Sequence, residues 1–160
     1  MPIGDVDRAS CSGRHDRNPI EHYSGWRRAI VSPEVGWNNL GMSPKDLVER
    51  WVELFNAGDA DGLAALYHPD AVNHQVAETP VEGQSAIREM FRRDFAAAEM
   101  TCILEVIHEA GDVAILEWRD PLGLRGCGFF TVREGRIAFQ RGYWDKLSFL
   151  RAHGLPIPSE

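Results

Sequence analysis

The chain has 160 residues, 44% of them hydrophobic and 26% charged, with a formal net charge of −7 and a pI near 5.4. That length holds one domain and little more, and the acidic balance excludes the basic footprint of a nucleic-acid or membrane-surface binder. No apolar run approaches the roughly 20 residues of a membrane span, and Asp5, Asp7 and Arg8 interrupt any secretory leader at once.

Three cysteines, Cys11, Cys102 and Cys127, are odd in number and widely spaced. They fit neither a disulfide framework nor a zinc site, and a reducing cytoplasm is the location expected. Residues 1–42 mix Gly, Ser, Pro, Asn and Arg without a sustained apolar period. They read as an extension that is weakly ordered or packed on the surface, with residues 43–160 forming the domain.

The domain opens on a helix signal. Ser43 is a capping residue, Pro44 suits the first helical position, and Asp46 places an acid in the first turn. Leu47, Val48, Trp51, Val52, Leu54 and Phe55 follow at helical spacing. Asn56-Ala57-Gly58 ends that helix, and a second carries Leu63, Leu66 and Tyr67 and stops before Pro69. Ala71 to about Gln75 reads as a short strand, and Val76 to Gly83 as a loop. A third helix from about Ser85 has Ile87, Met90, Phe91 and Phe95 on its buried face. After Thr101 four strands are expected, Cys102–His108, Val113–Asp120, Cys127–Val132 and Ile137–Tyr143. Gly111-Asp112 and Glu134-Gly135 supply turns between them. The end of the chain, with Pro156, Pro158 and Glu160, reads as a tail.

Two helices, a strand, a third helix and a run of antiparallel strands form the order of the NTF2-like superfamily. The chain resembles its SnoaL-like and ketosteroid-isomerase-like members at several places. Phe55 to Asp59 look like the end of that family's first helix, and Tyr67, Asp70, Ala71 and Val72 like the approach to its first strand. Gly83 with Ala86-Ile87 is similar to the start of its third helix, and Glu134-Gly135-Arg136-Ile137 to its last hairpin. The resemblance covers about Ser43 to Phe149. It implies an α+β cone, a curved antiparallel sheet wrapped around three helices and enclosing one pocket, and it implies a homodimer through the outer sheet face. Trp144 and Phe130 are the residues expected to add apolar area there.

Strand alternation assigns the pocket face. On the last strand Ile137, Phe139, Arg141, Tyr143 and Asp145 share one face, taken as the inner one, and Ala138, Gln140, Gly142 and Trp144 share the other. A slip of one residue reverses the assignment. Trp118 and Asp120 share a face opposite Glu117 and Arg119, while Asn73 and Gln75 share a face opposite His74. The limonene-epoxide-hydrolase-like members of the superfamily use two aspartates bridged by an arginine, with a tyrosine and an asparagine holding the attacking water. By that resemblance the aspartates fall on Asp120 and Asp145, and the water-holding pair on Asn73 and Gln75. The arginine falls on Trp118, a departure that Arg141 or Arg119 must make good if the pair is to share a cation.

Two carboxylates in an apolar pocket suit acid–base work. Asp145 is assigned as base and Asp120 as acid. Asn73, Gln75 and Tyr143 orient water or a carbonyl, Arg141 pairs an acid, and Trp118, Phe91, Phe129 and Phe139 supply apolar walls. The competing structural readings are that Asp120 closes a turn before Pro121 and that Asp145 caps a segment starting near Lys146. No phosphate-binding loop, dinucleotide fingerprint or nucleophile elbow occurs, so no cofactor is expected. His68, His108 and His153 lack ligand spacing, so no metal is expected either. The chemistry expected is that of a cofactor-free enzyme acting on a small hydrophobic organic molecule. It opens an epoxide, or moves a proton next to a carbonyl as isomerases and polyketide cyclases do. The alternative is a non-catalytic ligand-binding or dimerisation domain of the same fold.

Overall fold

A computed structural model describes residues 42–158 of the chain. The extension expected over residues 1–42 lies outside the described residues except for Met42, which packs against the core. Helix α1 spans Pro44–Asn56 and starts on a complete capping box: the Ser43 hydroxyl accepts from the Asp46 amide and the Asp46 carboxylate accepts from the Ser43 amide. Leu47, Val48, Trp51, Val52 and Leu54 form its buried stripe. The Asn56 side chain then bonds both the carbonyl and the amide of Cys102, at 2.9 and 2.7 Å, tying the helix end to the later strands.

Helix α2 (Ala60–Ala65) is capped by Asp59. It ends before Tyr67, so that strand β1 runs Tyr67–Gln75 rather than starting at Ala71. Burial explains the longer strand. Tyr67 is fully buried and pairs with Ile137, and Pro69 is accommodated where the β1 register shifts between Tyr67 and Val72. The loop expected after β1 contains a two-residue strand, β2 (Val81–Glu82), on the edge of the sheet. Helix α3 spans Gln84–Ala97 and buries Ile87, Met90 and Phe91.

Strands β3 (Ile103–Ala110), β4 (Val113–Arg119), β5 (Arg125–Arg133) and β6 (Arg136–Trp144) complete a six-stranded sheet, and helix α4 (Lys146–Ala152) follows. The strand order is β2-β1-β6-β5-β4-β3. All neighbours are antiparallel except β1 and β6. The architecture is the expected mixed α+β cone, with a curved, unclosed sheet whose concave face meets the helices. The core lies between them. Trp51 stacks on Phe55 at 5.0 Å and meets Phe130 edge-on at 5.3 Å, and Phe55, Phe91 and Phe95 extend the cluster.

A bulge in β6 decides which side chains reach this interior. Val132 pairs with Ile137 and Thr131 with Phe139, so two steps on β6 oppose one on β5 and Ala138 is the extra residue. Ile137 is fully buried as expected, but beyond Ala138 the faces exchange. Gln140 and Gly142 are buried and Arg141 and Tyr143 are exposed. The alternation expected for the inner face therefore holds only at Ile137. Phe130, expected outside, is 1% exposed and belongs to the core.

Glycine shapes the same face. A Cβ on Gly126 would lie 2.6 Å from the Trp118 ring and 2.7 Å from the Tyr143 carbonyl oxygen, the latter being backbone that cannot turn aside. Gly126→Ala is therefore expected to destabilise the fold by about 1–3 kcal/mol through overpacking. The check is the midpoint of urea unfolding at unchanged slope.

Candidate functional site

The concave face encloses a cavity of about 590 Å³, lined among others by Trp51, Phe55, Asn73, Gln75, Met90, Phe91, Leu116, Trp118, Asp120, Phe130, Gln140, Trp144, Phe149 and His153. Its lining is largely apolar, the form expected of a small-molecule site. Glycine creates part of the space. Gly128 and Gly142 face one another across β5 and β6, with Leu116 and Gln75 on the flanking strands.

A hydrogen-bonded chain crosses the cavity wall from one indole to another. Trp51 Nε1 donates to the Tyr67 hydroxyl at 2.9 Å, and that hydroxyl donates to Gln140 Oε1. Asn73 Nδ2 donates to Gln140 Oε1 at 3.1 Å and to the Tyr67 oxygen at 3.3 Å. Gln75 Nε2 donates to Asn73 Oδ1 at 2.8 Å, and Trp144 Nε1 donates to Gln75 Oε1 at 3.1 Å. Burial, which penalises the charged form most, pushes the Tyr67 phenol far above its ordinary range, so it stays neutral and keeps its proton for Gln140.

Asp120 is 4% exposed and stands just after β4, on the face that also carries Leu116 and Trp118. Its Oδ1 accepts the Leu124 amide at 2.8 Å, and its backbone amide donates to the Leu124 carbonyl, so one oxygen closes the β4–β5 turn. Its Oδ2 lies 3.4 Å from His153 Nε2. Neither of these two buried atoms has a hydrogen-bond partner among the described residues. The His153 ring packs on Phe149 at 4.2 Å, and Phe149 packs on Trp144 at 5.4 Å. The Lys146–Glu78 ion pair, 2.6 Å, ties the start of α4 to the segment after β1.

Of the residues singled out in the sequence, Asn73, Gln75, Phe91, Trp118 and Asp120 come together in the cavity. Phe129, Phe139, Arg141 and Tyr143 do not line it. They gather on the opposite face of the sheet, where the Arg141 guanidinium lies 5.5 Å from the Phe129 ring and 5.6 Å from the Phe139 ring. The removal of Phe139, Arg141 and Tyr143 from the pocket is a direct consequence of the Ala138 bulge, whereas Phe129 points outward by the alternation of β5, whose inner positions are Gly128 and Phe130. Arg141 therefore does not stand in for the absent bridging arginine. Arg119 is turned the same way and pairs with Glu105.

Asp145 is exposed and caps α4, its carboxylate accepting the Ser148 amide. The pair Asp120 and Asp145 is thus not assembled. Trp144, expected on an outer face, lines the cavity instead. Sequence reasoning missed His153, which alternation cannot place because tertiary packing of α4 brings it to Asp120, and Gln140, whose face the bulge reversed. Among the described residues no three His, Cys, Asp or Glu side chains gather as metal ligands, and no helix is long and apolar enough to cross a membrane.

This geometry, a curved sheet and three helices around one apolar cavity, defines a pocket protein of the NTF2-like class. The sequence pattern of the SnoaL-like domain matches residues 48–140, more than half of the chain, and the chain belongs to that family. Solved structures agree in fold. A ketosteroid-isomerase-like protein from Catenulispora acidiphila, solved in complex with trimethylamine, is 18% identical with a TM-score of 0.65, over 72% of this chain and 96% of that one. An LEH-like epoxide hydrolase from M. tuberculosis is 24% identical with a TM-score of 0.58, over 67% and 86%. The epoxide hydrolase/cyclase-like enzyme SalBIII, of pyran ring formation in the polyether salinomycin, is 22% identical with a TM-score of 0.58, over 65% and 92%.

Two outcomes follow from the site's local contacts. A Cβ on Gly142 would fall 1.9 Å from Gln75 Oε1, a flexible side-chain end that must give way. Gly142→Ala is expected to keep the fold but to release the Trp144 indole from its acceptor. An upfield shift of the Trp144 indole proton in the NMR spectrum is the check.

Hydrogen bonds from Ser148 hold the Asp145 carboxyl below the usual aspartate range. A lowered value makes its contribution to α4 fully present above the ordinary aspartate pKa and lost as pH falls through the lowered one. The Ser148 amide proton should accordingly move toward its random-coil shift on that side of the titration.

Proposed function

We propose that the protein is a small-molecule enzyme that moves a proton next to a carbonyl group within its apolar cavity, the chemistry of an isomerase or cyclase. The observation that carries this reading is the buried pair of Asp120 Oδ2 and His153 Nε2, 3.4 Å apart on the cavity lining and with no other hydrogen-bond partner among the described residues. Asp120 takes a proton from the carbon beside the carbonyl and returns it at the position where the rearranged product needs it. His153 Nε2, 3.4 Å from Oδ2, is the group placed to pair with the carboxylate. One carboxylate suffices for such a shuttle, because the proton removed is the proton returned.

The alternative of epoxide opening by two carboxylates loses its base, since Asp145 is exposed and committed to capping α4. The kinship with epoxide-hydrolase-like and cyclase-like structures supports a catalytic family without choosing the reaction. A non-catalytic binding domain is the second reading. It is favoured by the service of Asp120 Oδ1 in the β4–β5 turn, which gives the buried carboxylate a structural use of its own.

Substitution separates the two. Asp120→Asn keeps an oxygen for the Leu124 amide but removes the base, and should lower kcat by about 10²- to 10⁴-fold with ligand affinity retained. Asp145→Ala should leave kcat within about twofold, as expected for a surface position away from the reacting atoms. Assay against a panel of β,γ-unsaturated and polycarbonyl ketones is the measurement. Full activity in Asp120→Asn would sink the catalytic assignment, and no turnover across the panel would favour the binding domain.

A further inference from the structure

We infer that Gln140 is a specificity-determining residue: its side-chain NH₂ is a fixed donor that selects a bound molecule carrying a carbonyl oxygen. The inference deepens the reading of the cavity as a site for an apolar ketone. It rests on the direction of the hydrogen-bond chain, which the two tryptophans impose from opposite ends.

An indole N–H can only donate. Because Trp51 donates to the Tyr67 oxygen, the Tyr67 proton is directed onward, to Gln140. From the other side Trp144 donates to Gln75, so the Gln75 atom facing it is oxygen and its nitrogen faces Asn73. The Asn73 atom receiving that nitrogen is then oxygen, which turns the Asn73 nitrogen toward Gln140 and Tyr67. Both paths end on the same Gln140 atom and both require it to be an acceptor. Amide orientation, ordinarily ambiguous between oxygen and nitrogen, is settled here by logic rather than by position alone.

The consequence falls on the other end of the same amide. Gln140 is 3% exposed and lines the cavity, and its Nε2 donates to no protein atom among the described residues. A donor held in this largely apolar lining without a protein partner gains a hydrogen bond from a ligand oxygen placed there, and a hydrocarbon offers it none.

The two oxygens at the meeting point of the chain are fully engaged. Gln140 Oε1 accepts from Tyr67 and Asn73, and the Tyr67 oxygen accepts from Trp51 and Asn73. A hydroxyl or amine at this place would have to give its own proton to another oxygen of the lining, such as Asn73 Oδ1 or Gln75 Oε1, each of which already accepts one bond within the chain. A carbonyl has no such proton, and the site favours it.

The test is calorimetric titration of the full chain with 1-tetralone, 1-tetralol and tetralin, three bicyclic compounds of nearly one shape. The ketone is expected to bind about tenfold more tightly than the hydrocarbon, the worth of one net hydrogen bond, and more tightly than the alcohol. Gln140→Glu keeps acceptor oxygens for Tyr67 and Asn73 but has no NH₂ group, and with the carboxylate ionised it should abolish the preference. Infrared difference spectra of carbonyl-labelled 1-tetralone on the unaltered protein give a readout free of any folding defect. The bound carbonyl stretch should lie below its value in alkane.

Equal binding of ketone and hydrocarbon, or a stretch unchanged from alkane, overturns the inference. Failure of all three compounds to bind removes it together with the ketone-site reading. A retained ketone preference with full turnover in Asp120→Asn leaves Gln140 standing and removes only the proton shuttle.

Discussion

Ala138, one residue more on β6 than β5 can pair, sets the content of the whole interior. Had β6 kept its alternation from Ile137, the side chains of Phe139, Arg141 and Tyr143 would turn into the cone. An arginine there would need a partner charge to offset its desolvation, and two aromatic rings would occupy the space that is now cavity. With the bulge, those three side chains go to the outer face, where Arg141 lies over Phe129 and Phe139. In their place stand Gln140, Gly142 and Trp144, which give the cavity a donor, an opening and an indole.

Space and polarity in the cavity are therefore coupled. Gly126 leaves room for the Trp118 ring, Gly128 for Phe130 and Gly142 for the end of Gln75. Each absent side chain lets a neighbour lie flat against the sheet. Polar atoms so placed are cut off from water and must be paired within the wall. The chain from Trp51 to Trp144 does this with neutral groups alone, Gln140 Nε2 apart, so it titrates nowhere in the working range. Satisfied networks of this kind also rigidify their members, which is why a donor at Gln140 is fixed in direction before any ligand arrives.

Much of the fold was legible in the residues because its signals are local. Ser43-Pro44 with Asp46, the apolar stripe from Leu47 to Phe55, and Glu134-Gly135 between two strands each act within a few residues. The inner positions Asn73, Gln75, Trp118 and Asp120 were legible for the same reason, since β1 beyond Val72 and β4 throughout alternate without interruption. The face of β6 was not. Counting by twos presumes an unbroken pleat, and no glycine or proline in Ile137-Ala138-Phe139 announces the bulge. Nor could alternation find His153, whose place beside Asp120 depends on how α4 packs rather than on its own neighbours in sequence.

The residue expected as the catalytic base acts instead on the position of another. Asp145 starts α4 through its bond from the Ser148 amide, and His153 stands at the far end of that helix, two turns on. Phe149 against Trp144 and Lys146 against Glu78 fix the helix between these ends. On the other side of the pair, the turn bond to the Leu124 amide fixes Asp120 Oδ1 and with it the direction of Oδ2. The turn bond of Asp120 and the proton transfer proposed for it are thus not rivals. A carboxylate anchored by one oxygen can present the other in a single direction, and a proton carrier must be held so for transfer within a closed cavity to be fast.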